Sequence, residues 1–219
     1  MRRGAAFRPK NVRLAVGSLF EQTPFMRLAA IALAGWGLLC LSAAPAHSTS
    51  ILAPTFEELV ARADEVVLAR VVARQSSWVT SRSGRAIVTD VTFAIERTLK
   101  GESRIQRTLE FLGGTVGEDT LTVVGMPEFR LNDRDVLFVR DTGRPASPLV
   151  GFSYGRFRVV RDATFGGETI RTFDGRPLAS LADVGNTRPP ALIRPARLLS
   201  LDEFLREIDT AIRLQERRQ

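Results

Sequence analysis

The chain has almost no thiol, imidazole or phenol: Cys40, His47 and Tyr154 are its single cysteine, histidine and tyrosine. Beyond residue 48 there is neither cysteine nor histidine, and Lys100 is the only lysine. That stretch can form no disulfide, hold no Cys- or His-ligated zinc or haem, and use no cysteine nucleophile. It has no Gly-rich phosphate-cradling motif either, so nucleotide binding has no support. Internal repeats are absent. A domain with so few covalent or metal staples has to be held by its apolar core, and 44% hydrophobic residues are enough to build one.

An excess of one charge is also missing once the first residues are set aside. The formal charge is +7, but six basic residues and one acidic residue fall within 1–46, leaving 25 basic and 23 acidic residues in the remainder. This balance favours neither a nucleic acid nor an anionic membrane surface as partner. The basic leader has the parts of a secretory signal over 26–48. Met26-Arg27 is the positive start, Leu28–Ala44 the uncharged run, and Ala44-Pro45-Ala46 and Ala46-His47-Ser48 the small residues of a cleavage site near 46–48. Leu39 precedes Cys40, where a lipoprotein signal needs a small residue. Residues 1–25 then read as an over-extended start, with translation beginning at Met26. The expected location is periplasmic or secreted, with membrane contact only during passage. The competing expectation is an uncleaved anchor, for which the apolar run is barely long enough.

Behind the leader, Thr55-Phe56-Glu57-Glu58 is a capping box, and Phe56, Leu59, Val60 and Ala63 follow at helical spacing, predicting a short helix over about 55–63. Glu65–Arg74 is β-branched and apolar and predicts a strand. Turn residues follow at 81–85. Then Ile87, Val91, Phe93 and Ile95 share one parity against Asp90, Thr92 and Glu96, the alternation of a half-buried strand. Further strands are expected at 105–112, 121–124, 135–139, 149–152, 157–160 and 168–172. With no helix-length pattern between them, they predict one antiparallel barrel or sandwich over 49–186. The proline-rich segment 187–199 reads as a linker. Ser200-Leu201-Asp202-Glu203 opens a terminal helix in 200–219, with Leu201, Phe204, Leu205, Ile208 and Ile212 on the face expected to pack against the strands.

Catalytic patterns are sparse. Gly151-Phe152-Ser153-Tyr154-Gly155 matches the G-x-S-x-G spelling, but that chemistry needs a strand-to-helix turn and a later histidine base. Here another strand pattern follows and no histidine does. A Ser153–Lys100 dyad would take its only lysine from a strand-end turn. Asn132-Asp133-Arg134-Asp135 with Glu128 offers oxygens to calcium but lacks the glycine and distal glutamate of an EF-hand loop. Acidic pairs such as Glu57-Glu58 and Asp202-Glu203 suit helix starts. No catalytic, cofactor-binding or metal-binding residue is therefore assigned. Trp78, Phe129 and Tyr154, beside predicted turns, are the candidate binding surface if exposed; otherwise they anchor loops on the core.

In chain order, a helix ending in Ala63-Asp64, then Val66-Val67, a hairpin, a long strand closing on Leu99-Lys100-Gly101, a further strand, a Gly-rich turn and Asp135-Val136-Leu137-Phe138-Val139 resembles the netrin-like module. This is the OB-type barrel of tissue inhibitors of metalloproteinases. The resemblance covers about residues 55–140. The spacing Gly113-Gly114, Gly117, Gly125–Phe129 and Gly151…Gly155-Arg156-Phe157 also resembles a set of exported bacterial proteins. It implies a mainly β OB/netrin-like barrel flanked by a short N-terminal and a C-terminal helix. It also implies a non-catalytic exported domain that contacts a protein, a secreted protease or other envelope protein being the candidates. Framework disulfides and the zinc-chelating N-terminal cysteine of those inhibitors are absent, so their inhibitory mechanism is not implied. The alternatives are a serine hydrolase using Ser153 and a structural component of the cell envelope.

Overall fold

Thr55 caps the first helix as its sequence predicts. Its hydroxyl accepts from the Glu58 amide at 3.2 Å, and its own amide donates to Glu58 Oε2 at 2.9 Å, so two otherwise orphaned donors are satisfied. The helix, α1, runs Phe56–Arg62. The computed structural model describes residues 53–81, 84–140, 147–163, 166–186 and 197–217. The expected leader and most of the expected linker, 187–196, lie outside the described residues.

Chain direction reverses at Ala63, whose backbone is extended, and the Asp64 amide then donates to Val139 O at 2.8 Å. Strand β1, Glu65–Ser81, thus begins already docked, and with β2, Gly84–Lys100, it forms a hairpin closed at the Ser81–Gly84 pair. β1 runs on to Ser81, well past its expected end at Arg74, whereas β2 closes at Lys100 as expected. Three register shifts interrupt the ladder, between Val66 and Val67, Leu68 and Ala69, and Val71 and Ala73. Each such bulge bends and twists the hairpin. β3, Gln106–Leu112, pairs with β2. Next comes a separate two-stranded ribbon, β4 (Gly114–Val116) with β5 (Asp119–Leu121). β6 (Arg134–Val139), β7 (Arg156–Asp162) and β8 (Gly167–Thr172) complete the main sheet in the order β3-β2-β1-β6-β7-β8, antiparallel throughout.

The centre of the main sheet, β6 and the first half of β1, is buried on both faces. On one side Val66, Leu68, Val136, Phe138, Phe157 and Ile170 meet α1 and the terminal helix α2, Leu201–Glu216. All five residues of the expected α2 face are buried there. On the other side Val67, Ala69, Val71, Val91, Phe93, Leu109, Phe111, Leu137 and Val139 form a second core, plugged by Phe129. β6 feeds both, alternating Val136 and Phe138 toward one with Leu137 and Val139 toward the other. That explains why its sequence is an unbroken apolar run. Among the described residues the fold is mainly β and antiparallel, with two α-helices.

Three expectations are corrected. Residues 149–152 do not form a strand: Leu149 makes a single bridge to Val139, and Gly151 and Phe152 at φ 64° and 72° turn the chain away. The strand expected at 121–124 ends at Leu121, and Val124 is almost wholly exposed before a turn at Gly125. The end of the expected linker belongs to the body. Leu198 is buried, and Leu199 donates to Leu178 O at 2.8 Å while accepting from the Ile170 amide at 3.2 Å. Among the described residues no helix is long and apolar enough to cross a membrane.

Candidate binding groove

Residues 122–133, between β5 and β6, cross the second core and send Phe129 into it. The ring lies 5.2 Å from Phe93 in an edge-on contact and 4.9 Å from Phe111. Such aromatic pairs add to the area they bury. On its remaining face sits the Arg156 guanidinium, with Cζ 4.1 Å from the ring centroid. Arg156 is itself buried. Its Nε donates to Asp135 Oδ1 at 2.9 Å, and Nη2 to Asp133 Oδ2 at 2.8 Å and to Asp135 Oδ2 at 3.1 Å. Its Nη1 donates to the Glu128 carbonyl. One side chain thereby ties β7, β6 and the crossing loop together. Burial pushes the Asp135 carboxyl above its ordinary range, against the pull of Arg156.

The acidic residues weighed as calcium ligands are engaged by the protein's own cation. Asp133 and Asp135 turn their oxygens to a guanidinium, and Glu128 contributes its main-chain carbonyl. Among the described residues no cluster of three or more acidic, His or Cys side chains has metal-binding geometry.

Beside the crossing loop opens a groove of about 430 Å³. Its floor is apolar, made of Val91, Phe111, Met126 and Phe129; its rim carries Arg74, Arg130 and Glu128. Gly113 and Gly114, at φ 106° and 136°, swing the chain from β3 into the ribbon that forms one wall. Only a residue without a side chain fits at 114: a Cβ there would stand 2.5 Å from Ser76 Oγ and closer still to Thr89 Oγ1. Thr89 donates its one hydroxyl proton to Gly113 O at 2.6 Å, so at 2.9 Å from Ser76 Oγ it must act as the acceptor. Ser76 keeps its lone pairs for another donor. At the rim the Arg74 and Arg130 side chains are exposed and have no ion pair among the described residues. A second, more apolar cleft of about 320 Å³ lies between α1 and α2 beside Phe56, Val60 and Leu214.

The aromatic residues expected to mark a surface are not brought together. Phe129 is 2% exposed, held between two rings and a guanidinium; it is the floor of the groove and not a surface contact. Trp78 is half-buried on β1, with the Arg85 guanidinium 4.0 Å above its ring. Tyr154 is half-buried with Phe173 edge-on at 5.0 Å. Ser153 is buried in the turn before β7, its carbonyl accepting from the Arg156 amide at 3.1 Å. Lys100 Nζ donates to Val60 O at 2.9 Å, at the end of α1. Burial lowers its pKa despite Asp64 and Glu216 nearby.

Arg74, Ser76, Thr89, Arg130 and Arg156 were not singled out by sequence. For Arg156 a trace existed: one aspartate opens the apolar run Asp135–Val139, and one arginine opens Arg156–Val160. Opposite charges at the heads of two strands are what a buried pair leaves in a sequence. For the others no local signal exists, because the groove joins residues from β1, β2, β3 and a loop. No protein-family model, no characterised protein and no solved structure matches the chain.

Proposed function

We propose that the chain is an exported, non-catalytic binding domain that holds a segment of another envelope or secreted protein, a secreted protease among the candidates, in the groove beside Phe129. The observation that carries this reading is the groove's construction: an apolar floor, hydroxyl walls and two exposed, unpaired arginines at the rim. Pockets with an apolar base and a few placed polar groups are the usual form of a binding site. The loop forming one side is pre-set by Arg156, which lowers the ordering cost of binding. Three bulges that curl the β1–β2 hairpin, and a core enclosed inside that curl, support an OB/netrin-like barrel. The leader pattern at 26–48 supports export. Burial of Ser153 in a turn, with Lys100 committed to a carbonyl, supports a role without catalysis.

The test is site-specific photo-cross-linking of the full chain in its own cells. A photoreactive residue replacing Arg130 is expected to yield a discrete adduct with one envelope or secreted protein, and the same residue replacing Glu57 on α1 is not. Adding Arg74→Ala to the chain that carries the photoreactive residue at position 130 is expected to abolish the adduct with folding unchanged. Adducts at Glu57 equal to those at Arg130, or none at Arg130, would overturn the reading. Separately, a fluorophosphonate probe that labels Ser153 in folded protein would contradict the non-catalytic role.

A further inference from the structure

The two edges of the main sheet are treated differently. Beyond β8 the backbone is covered: Leu178 N donates to Ile170 O, Ile170 N to Leu199 O, and Thr172 N to Arg176 O. At the other edge, β3 uses only its odd-numbered residues toward β2, as Ile95 N to Ile105 O and Gly113 N to Ile87 O fix at its two ends. Gln106, Thr108, Glu110 and Leu112 therefore turn their N–H and C=O groups outward, and among the described residues none of these has a backbone partner. Of the devices that usually blunt an edge, β3 carries only two charges, Arg107 and Glu110. β3 has no proline, no lysine and no bulge in its pairing.

The solvent face of this edge is also electrically unfinished. Asp90 and Glu110 stand directly opposite each other, and neither has an ion pair among the described residues. Like charges in that position repel. Further along β2 the corresponding acid, Glu96, is matched by two arginines, Arg70 at 2.9 Å and Arg134 at 2.6 Å. We propose that the outer edge of β3 is a second contact site, adjoining the groove at Leu112, which takes an extended segment of a partner protein as a seventh strand and prefers a basic residue opposite Glu110. Added strands gain affinity from main-chain hydrogen bonds and selectivity from alternate side chains.

A second copy of this chain fits less well. In an antiparallel pair of β3 strands, facing residues share parity, so a two-fold axis at Leu109 or Thr108 sets Thr108 or Gln106 against Glu110. An axis at Arg107 brings Arg104 to Glu110 only by setting the two Arg107 side chains against each other.

The experiment uses the full chain and two synthetic peptides of alternating threonine and valine, nine residues long, with lysine or glutamate at the centre on the threonine face. The lysine peptide is expected to shift and protect the amides of Gln106, Thr108, Glu110 and Leu112. The glutamate peptide is expected to bind about fivefold more weakly. Glu110→Pro removes an outward N–H and spares the β2 ladder, so it is expected to fold and to lose binding. Glu110→Gln is expected to bind both peptides equally. Alanine at Arg74 and Arg130 is expected to change nothing, which separates this site from the groove. Even-numbered amides unmoved by the lysine peptide, equal binding of both peptides, or a dimer in sedimentation that Glu110→Pro dissociates would overturn the proposal.

Discussion

The guanidinium of Arg156 closes on the carboxylate of Asp135 through two hydrogen bonds, at 2.9 and 3.1 Å, and both groups are shielded from solvent. Its other donors reach Asp133 and the Glu128 carbonyl, so this pair also fixes the loop that borders the groove. Removing one member of a buried pair costs far more than the pair contributes over an apolar substitute, because it strands the other charge. Arg156→Met is therefore expected to destabilise by about 3–5 kcal/mol, and adding Asp135→Asn is expected to recover part of that loss. Urea unfolding measures both. The sign with pH follows from burial. The folded-state pKa of Asp135 is raised, so its stabilising contribution is full below its ordinary value of 3.8 and is lost as pH rises through the folded value. Without Arg156 that pKa rises further, and the deficit of Arg156→Met should shrink on acidification. A deficit under about 1 kcal/mol at neutral pH would contradict the role assigned to Arg156.

Gly114 and Gly117 bracket β4 and both have positive φ, 136° and 63°. They differ in what surrounds them. A Cβ at 114 collides with the Ser76–Thr89 hydroxyl pair, whereas one at 117 meets nothing within 4 Å. Gly117→Ala is expected to cost about 1 kcal/mol, from backbone conformation alone. Gly114→Ala adds the collision, for about 3 kcal/mol in total. Thermal unfolding of the two variants side by side distinguishes them, and equal losses would mean that the wall of the groove is looser than its geometry.

Local features were the most legible in the sequence. Both capping boxes, the apolar face of α2 and the alternation in β2 are written within a few neighbouring residues, and each appears where it was expected. What failed was non-local. Leu149–Phe152 is as apolar as a strand, but Gly151 and Phe152 bend it with left-handed backbone, and its apolar residues fill a core from a turn. Leu198 and Leu199 follow three prolines and read as linker, yet Leu198 is buried and Leu199 accepts a backbone hydrogen bond from Ile170 of β8. Phe129 lies beside a turn in sequence and under Arg156 in space, a position no spacing rule encodes. The groove was invisible for the same reason: bulges in β1 decide which residues line it, and bulges leave no periodic mark.

Phe204 joins the two helices to the sheet. Its ring lies 5.0 Å from Phe157, 5.9 Å from Phe56 and 6.5 Å from Phe138, and it is fully buried. The four rings come from α1, β6, β7 and α2, so a void at the centre cannot be filled by one element moving alone. Phe204→Ala is expected to cost about 3–5 kcal/mol, and Phe204→Leu markedly less. Chemical denaturation of the folded domain checks both. A cost near 1 kcal/mol for alanine would indicate that α2 collapses into the space or docks loosely.

The acid sensitivity of α2 should reside in Glu203. Its carboxylate accepts from the Ser200 amide at 3.1 Å and the Ser200 hydroxyl at 2.9 Å, and it also meets Arg197. The bonds from the Ser200 backbone and side chain, with a smaller contribution from Arg197 and Arg206, hold its pKa below the ordinary 4.5. For a carboxyl whose folded pKa is depressed, the stabilisation is present above the unfolded value and is lost as pH falls through the folded one. The N-terminal turn of α2 is therefore expected to loosen as pH falls below the ordinary value of 4.5, with faster amide exchange at residues 201–204. Glu203→Gln keeps a side-chain oxygen for the capping box but cannot titrate. That variant should show a smaller loss of α2 protection between pH 6 and pH 3 than the parent chain. If parent and variant lose protection in parallel, the acid response belongs to other groups, and the cap is held by its neutral hydrogen bonds.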